Sequence, residues 1–410
     1  MGDTVRSGPV PHPAARPGFR DAVALGIARL RGGDLGPLPV VVGLAVVWAV
    51  FQILNPVFLS SENLVNLTMQ CAATGTIALG VVLVLLLGEI DLSVGSVSGL
   101  AAAVLAVGFV RLEWPLVLAL VGAVAVGVAA GLVYGMLRTA FGLPSFVITL
   151  AGLLGFLGLQ LWVLGDDGTV AIPFDSWLVQ FAQQLFLPWW VSYAVVALAV
   201  AAYAASRVRT ARRRMAADLD SEPYRFIALR SLALLGLLLL AAWYLNRDRG
   251  VGAMFLLFVC LVIGMHLLLT RTRWGRSVYA VGGSVEAARR AGIRVDRVYL
   301  SVFALCSGLA ALGGVLAAAR LASAGQSSGG GDTNLIAIAA AIIGGASLFG
   351  GRGTAFSALL GIVVIQSVSS GLTLLNLDSS VRFMITGVVL VLAVIVDAVS
   401  RRARAATGRA

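Results

Sequence analysis

The sequence has 410 residues, of which 59% are hydrophobic and 12% are charged, with a mean hydropathy of +0.97. Soluble domains carry about 25% charged residues, so this composition excludes an ordinary soluble domain and predicts an all-α polytopic membrane protein. All 30 basic residues are arginine. Because a Walker A loop and a Schiff base both need lysine, the chain is not itself a P-loop ATPase or a Schiff-base enzyme.

The chain divides into a long apolar region between two polar tails. Residues 1–36 are interpreted as a cytoplasmic N-terminal tail, residues 37–400 as the transmembrane domain, and residues 401–410 as a cytoplasmic C-terminal tail. The apolar runs predict about 10–12 transmembrane helices, some of them broken or re-entrant. Their predicted bounds are 38–58, 67–88, 92–110, 115–137, 145–164, 187–206, 229–246, 250–270, 298–319, 334–349, 355–375 and 382–399.

The arginines sort sharply between the two sides of the membrane. With twelve spans and a cytoplasmic N-terminus, 25 arginines fall on the cytoplasmic side and 5 fall outside. This distribution follows the positive-inside rule and predicts that both termini are cytoplasmic. The formal net charge of +11 is therefore explained by topology, and no nucleic-acid partner is expected.

Residues 165–250 are interpreted as an insert with two extra spans. Between these spans lies a basic stretch, 207–214, followed by acidic residues. The basic stretch is suited to binding anionic membrane lipid. The alternative is that it is a solvated determinant of topology.

One polar motif interrupts the second and third apolar runs, at Gly88–Ser96. Glu89 and Asp91 lie there among nearly uncharged residues. Carboxylates at membrane depth usually face a cavity or a partner. The motif predicts a broken helix that begins at Leu92 or Ser93, with Asp91 as its N-cap. The alternative is a tight cytoplasmic turn with both carboxylates in water.

Two further motifs lie in the second half. Residues 343–354 are rich in glycine and weakly echo the first motif, which indicates a second interrupted segment; the alternative is a glycine-rich turn.

Residues 284–293 predict a short polar helix inside an arginine-rich loop, 271–297. Val285, Ala288, Ala291 and Val295 share one face of that helix. An amphipathic interface helix is the alternative.

Together, the stretches GEIDLSVGS, VEAARRAGI and IAAAIIGGASLFGGRGT resemble the permease subunits of bacterial ABC importers for monosaccharides. The resemblance is to the ribose, xylose and galactose branch, and it covers about residues 60–160 and 265–398. The 165–250 insert makes the chain most similar to the xylose-type permeases. The chain departs from the family pattern at Glu89, where members have glycine.

The resemblance implies a multi-pass transport subunit of the bacterial inner membrane that imports a xylose-like pentose or a related sugar. A separate ATPase subunit would hydrolyse ATP, an extracytoplasmic binding protein would deliver the sugar, and a second permease copy would complete a homodimer. Glu286, Ala287, Ala288 and Gly292 match the loop that forms the ATPase-coupling helix. No catalytic residue, metal ligand or cofactor is implied.

A sugar pathway needs polar groups within or beside the spans. The candidates are Asp91, Ser93, Ser96, Gln366 and Asn376, with Gln70 and Thr74 beside them. Each is equally explained by hydrogen bonds between helices.

Two other function classes were weighed against an ABC permease. A secondary transporter of the major facilitator type also has twelve spans, but its basic motif after the second span is replaced here by Glu89-Ile90-Asp91. A membrane-embedded enzyme would need a nucleophile–base or metal-ligand constellation, and none appears in the sequence.

Overall fold

A computed structural model describes residues 38–378, 380–382, 384–388, 391 and 395. In chain order, its elements are α1 (Leu38–Leu54), α2 (Ser61–Leu86), α3 (Val94–Ala106), α4 (Leu116–Phe141), α5 (Ser145–Leu164), β1 (Thr169–Ala171), α6 (Trp177–Gln183), α7 (Trp189–Met215), α8 (Tyr224–Leu245), α9 (Ala253–Arg271), α10 (Arg273–Gly283), α11 (Val285–Arg290), α12 (Val295–Leu321), β2 (Ser323–Gly325), α13 (Gly331–Ile343) and α14 (Ala355–Leu374). A π-helical segment, Val107–Arg111, continues α3.

The described part of the chain contains nine helices that are long and apolar enough to cross a membrane. They are α2, α3 with its π-helical segment, α4, α5, α7, α8, α9, α12 and α14. Two shorter apolar helices, α1 and α13, complete the set. The expectation of an all-α polytopic membrane protein is confirmed.

The predicted bounds agree with the helices to different degrees. The run 145–164 coincides with α5, whereas the run 334–349 contains only the short α13. The twelfth run, 382–399, falls largely outside the described residues, as do both predicted tails.

The centre of the bundle is α12, which packs against α2, α3 and α4. Small residues allow this close approach: a Cβ on Gly80 would lie 2.7 Å from the Cys306 carbonyl oxygen, and one on Gly127 would lie 2.6 Å from the Ser307 carbonyl oxygen. Lipid gives no hydrophobic drive for helix association, so close van der Waals packing must hold these helices together.

Within residues 165–250, the helices α7 and α8 form a hairpin at the edge of the bundle. Among the described helices, α7 packs extensively against α8 alone, and α8 contacts α2. Tyr244 on α8 donates a hydrogen bond to the Leu59 carbonyl oxygen at 2.8 Å. Both helices remain largely exposed, since only 11% of the most apolar part of α7 and 17% of that of α8 are buried. The hairpin is thus an appendage to the bundle.

The two ends of the bundle carry different structures. One end, here called the coupling end, carries α10, α11 and the connections 87–93 and 344–354. The other, here called the sheet end, carries β1 and β2, which pair antiparallel with Val170 opposite Ala324. The sequence did not predict this sheet or the neighbouring helix α6, because three-residue strands leave no detectable alternation.

Candidate coupling and pathway site

The connection between α2 and α3 turns back into the bundle. Asp91 is 1% exposed, and its Oδ1 accepts hydrogen bonds from the Ser93 backbone N–H at 2.8 Å and the Ser93 hydroxyl at 2.7 Å. Its Oδ2 lies 3.8 Å from the Cys306 sulfur. Cys306 is 11 residues into α12, or about 16 Å along that helix at 1.5 Å per residue. The carboxylate is therefore well inside the bundle.

This placement corrects the predicted cap. The helix α3 begins at Val94 and its N-cap position is Ser93, not Asp91. The Ser93 side chain makes no capping bond, because its hydroxyl donates to Asp91 and accepts from the Tyr134 hydroxyl at 2.7 Å. The alternative of a water-exposed turn also does not fit, because Asp91 is buried and the Glu89 side chain is 13% exposed.

A second turn of chain meets α3 from the opposite side. The Asn334 side chain, in the first turns of α13, accepts a hydrogen bond from the Gly95 backbone N–H. A Cβ on Gly99 would overlap the Ser328 carbonyl oxygen. The N-terminal turns of α3 and α13 therefore converge inside the bundle, which is the arrangement in which transporters commonly form substrate sites.

Gln160 fixes the loop that leads into α13. Its side chain is 0% exposed, and Nε2 donates to the carbonyl oxygens of Gly325 at 3.0 Å and Ser328 at 2.9 Å. Its Oε1 has no hydrogen-bond partner among the described residues. One amide thus ties α5 to the connection between β2 and α13.

The coupling end presents the predicted polar helix as α11, preceded by a second short helix, α10. Ser284 caps α11, since its hydroxyl accepts a hydrogen bond from the Ala287 N–H at 3.2 Å. Glu286, Ala287 and Gly292 are exposed, whereas Ala288 is 3% exposed and packs against the core. The segment therefore has a face seated on the bundle and a face open to a partner.

The predicted apolar face of this segment is only partly correct. Ala288 and Val295 are buried. Val285 is half-buried, and Ala291 is exposed. The α-helical spacing stops applying because α11 ends at Arg290 and Gly292 adopts a positive φ of 79°.

A glycine near the end of α10 meets glycines of the α2–α3 and α13–α14 connections. A Cβ on Gly350 would lie 2.6 Å from the Gly282 carbonyl oxygen and 2.9 Å from the Gly88 nitrogen. The Gly351 N–H donates to the Leu86 carbonyl oxygen at 2.9 Å. No side chain separates these three backbones. We call this contact of Gly88, Gly282 and Gly350 the glycine junction.

Tyr279 strengthens the same contact. Its hydroxyl donates to the Gly353 carbonyl oxygen at 2.8 Å. Burial raises the pKa of Tyr279, so the hydroxyl keeps the proton that this hydrogen bond needs. Thus α10 is fixed to the 344–354 connection by both backbone and side chain.

Glu89 is paired with an arginine of α4. Its Oε1 accepts from Arg138 Nε at 3.0 Å and pairs with Nη2 at 2.9 Å. The Arg138 guanidinium lies over the Tyr299 ring, 5.1 Å from the centroid. This cluster joins the α2–α3 connection to α4 and to the start of α12.

The remaining candidate pathway residues are not all assembled with Asp91. Ser93 and Ser96 lie beside it at the start of α3 and are buried. Gln366 is buried on α14, which packs mainly against α1, α2, α9 and α13. Asn376 lies just after the end of α14, and its φ of 51° is a left-handed backbone conformation that ends the helix. Gln70 and Thr74 are half-buried on α2.

The polar residues of this site that sequence reasoning missed are Asn334, Gln160 and Tyr134. Gln160 and Tyr134 lie inside apolar runs and Asn334 begins one, which is a signal for a functional or pairing role. Their partners are 239, 168 and 41 residues away in sequence, so the pairing itself could not be read locally.

A family model described as the permease component of branched-chain amino acid transport systems matches residues 63–394. This range includes the α2–α3 connection, the coupling segment and the glycine junction. The chain belongs to this permease family. It is therefore a multi-pass transport subunit of the inner membrane, and the major facilitator alternative is disfavoured.

Relatives at the level of whole chains are sugar permeases by name. The chain is 36% identical to the xylose transport system permease protein of Escherichia coli (strain K12), over 84% of this chain and 87% of that one. It is 32% identical to the xylose permease of Haemophilus influenzae, over 91% and 99% of the two chains. The ribose import permease of Escherichia coli is 30% identical, over 87% and 92%. No solved structure matches the chain.

Permeases of this family work with a separate ATPase subunit and a substrate-binding protein. The sequence expectations of an ABC permease, a transport subunit and an inner-membrane location are confirmed at this level.

Proposed function

We propose that this chain is the permease subunit of an ATP-driven importer for a monosaccharide, with a xylose-like pentose as the first candidate. The observation that carries this proposal is the 36% identity to a xylose permease, maintained over 84% of the chain. The description of the family model names branched-chain amino acids instead. We favour the sugar because the whole-chain relatives at 30–36% identity are sugar permeases.

The coupling end is proposed to face the cytoplasm and to bind the ATPase. Of the 21 arginines in the described residues, 16 lie at this end and five at the sheet end, as the positive-inside rule requires. Glu286, Ala287 and Gly292 would contact the ATPase, while Ala288 holds α11 on the permease.

Transport would follow from rigid-body movement of this segment. ATP-driven closure of the ATPase would move α10 and α11, and the glycine junction would pass that movement to the α2–α3 and α13–α14 connections. The helices that these connections join carry Asp91, Ser93, Ser96 and Asn334 at or near their starting turns. These side chains are the proposed pathway at the α3 start, and Gln366 and Asn376 are retained as weaker candidates. A second copy of the chain is proposed to complete the transporter.

Reconstitution into proteoliposomes tests the proposal. The permease with its ATPase and binding protein should take up labelled xylose only when ATP is supplied, and isoleucine should not compete. Glu286→Arg should abolish uptake but leave the ATPase active and the permease inserted. Uptake by the permease alone, driven by a proton gradient, would instead support a secondary transporter. ATP-dependent uptake of isoleucine would overturn the sugar assignment.

A further inference from the structure

The arginine-rich end of α7 has two sides with different surroundings. At 100° per residue, Arg207 and Arg214 lie on one side of the helix, whereas Arg209, Arg212 and Arg213 lie within an arc of about 100° on the other. We call the first two the inner pair and the last three the outer arginine face.

The inner pair is already bound by the loop that joins α7 to α8. Arg207 and Arg230 both bind the carboxylate of Glu222. Arg214 Nε donates to the Asp220 backbone carbonyl oxygen at 2.8 Å. The loop therefore supplies partners to this side of α7.

The outer arginine face has no such partner. Arg209, Arg212 and Arg213 are exposed, and none of them pairs with a carboxylate in the part of the chain that the structure describes. Residues three and four apart on a helix have Cβ atoms about 5–6 Å apart, so their like charges repel one another. An anion from outside this part of the chain would relieve that repulsion.

The position of this face along α7 matches the phosphate layer of a bilayer. Trp189 and Trp190 are 66% and 59% exposed at the sheet end of the helix, as interfacial anchors are. Arg209 lies 20 residues further on, or about 30 Å at 1.5 Å per residue, which equals the usual thickness of the hydrocarbon core. The apolar residues between them are largely exposed, as expected for a helix surrounded by lipid.

We propose that the outer arginine face binds an anionic phospholipid by its phosphate group. The planar guanidinium group matches the geometry of phosphate and can donate two parallel hydrogen bonds to it. Three neighbouring arginines attract a headgroup with a net negative charge more strongly than a zwitterionic one. The lipid would hold the appended hairpin in register with the membrane, because α7 packs little against the rest of the bundle. This inference does not depend on which solute the chain transports.

Native mass spectrometry of the full-length chain, with phosphatidylglycerol and phosphatidylcholine added in equal amounts, tests this site. The unaltered chain should retain phosphatidylglycerol preferentially. The triple variant R209Q/R212Q/R213Q should retain about a hundredfold less of it, since each arginine near a membrane surface contributes about fivefold. If that variant does not insert, R209Q/R213Q should still show a loss of about tenfold or more.

The matched control removes the same amount of charge from the other side. R207Q/R214Q/R230Q should retain phosphatidylglycerol as the unaltered chain does. Equal losses in the two triple variants would overturn the proposal, because total charge rather than this face would then be responsible. Equal retention of both lipids by the unaltered chain, or displacement of the lipid by an ATPase subunit, would overturn it as well.

Discussion

At the scale of single residues, the Glu89–Arg138 pair shows how the chain accommodates a charge in the α2–α3 connection. The side chains are 13% and 28% exposed, so water screens the pair only partly. We predict that E89Q and R138Q each lower thermal stability, and that the double variant loses less than the sum of the two. The coupling should be about 1 kcal/mol, measured as a double-mutant cycle by denaturation in detergent.

An exposed pair of the same chemistry is the control for that cycle. Glu286 and Arg290 lie 3.5 Å apart on α11 but are 79% and 83% exposed. Their coupling should be no more than a few tenths of a kcal/mol. A Glu89–Arg138 coupling as small as this would show that the cluster does not hold the α2–α3 connection.

Asp91 gives a second prediction at this scale. Asp91→Ala would leave the buried Ser93 N–H and hydroxyl without their acceptor, at a cost of about 1–3 kcal/mol. Asp91→Asn retains an Oδ1 acceptor and should destabilise the protein clearly less. Thermal unfolding of the two variants measures the difference, and equal destabilisation would mean that the negative charge, rather than the hydrogen bonds, is what the site requires.

At the scale of elements, the glycine junction offers a matched pair of neighbouring residues. A Cβ on Gly282 would overlap the Leu86 carbonyl oxygen and lie 2.8 Å from the Gly351 nitrogen, whereas one on Gly283 would have nothing within 4 Å. Gly282→Ala should therefore separate α10 from the two connections beneath it and sharply reduce ATP-driven uptake. Gly283→Ala should keep normal uptake.

The measurement for this pair is uptake together with ATP hydrolysis in proteoliposomes. For Gly282→Ala we expect hydrolysis to continue while uptake falls at least about tenfold, since α10 would no longer contact the two connections; even a 1 Å misplacement can cost an enzyme about 100-fold in rate. Normal uptake by this variant would contradict the role of the junction.

The sequence predicted these elements well where a pattern is local. Long apolar runs and the short polar helix at 284–293 are properties of adjacent residues, and most helix ends agree within a few positions. The start of α3 differs from the prediction because the Asp91 carboxylate binds the Ser93 N–H and hydroxyl, and the helix begins only after Ser93. The glycine junction was not predicted, because it joins residues more than 60 positions apart.

At the scale of the whole molecule, the hairpin of α7 and α8 is predicted to be removable. The Leu187 N–H donates to the Val251 carbonyl oxygen at 2.9 Å, so the chain enters and leaves the hairpin at nearly the same point. Replacing residues 188–250 with a short glycine linker removes two spans, which preserves the orientation of every later helix. We expect the shortened chain to insert, to remain monodisperse in detergent and to retain uptake.

Few interactions join the hairpin to the rest of the bundle, so the deletion should cost little stability. They include the hydrogen bonds from Tyr244 to the Leu59 carbonyl oxygen and from Arg249 to Asn66. Size-exclusion chromatography and uptake assays measure the outcome. Aggregation of the shortened chain would show that the hairpin is part of the bundle core, whereas a stable chain without uptake would assign the hairpin a part in transport.

Composition decided the class of this molecule, and three motifs in order decided its family. The sequence could not decide which polar residues meet inside the bundle, because Gln366 and Asp91 are equally polar interruptions of apolar runs. Only the packing of α14 away from α3 distinguishes them. Sequence periodicity predicts which face of a single helix is apolar. A pathway is lined by side chains from several helices, and their contacts are not visible in the sequence.

The pairing of β1 with β2 has a consequence for the order in which the protein is made. Thr169 on β1 pairs with Gly325 on β2, so β1 has no partner strand until 156 more residues have been synthesised. At about 5–20 residues per second, that interval is about 10–30 s on the ribosome. During this time α3 is in the membrane without the loop that later covers Gly95 and Gly99. The first five helices are therefore complete before the residues that cover this face of α3 exist, and this face is where a membrane chaperone would have most to protect.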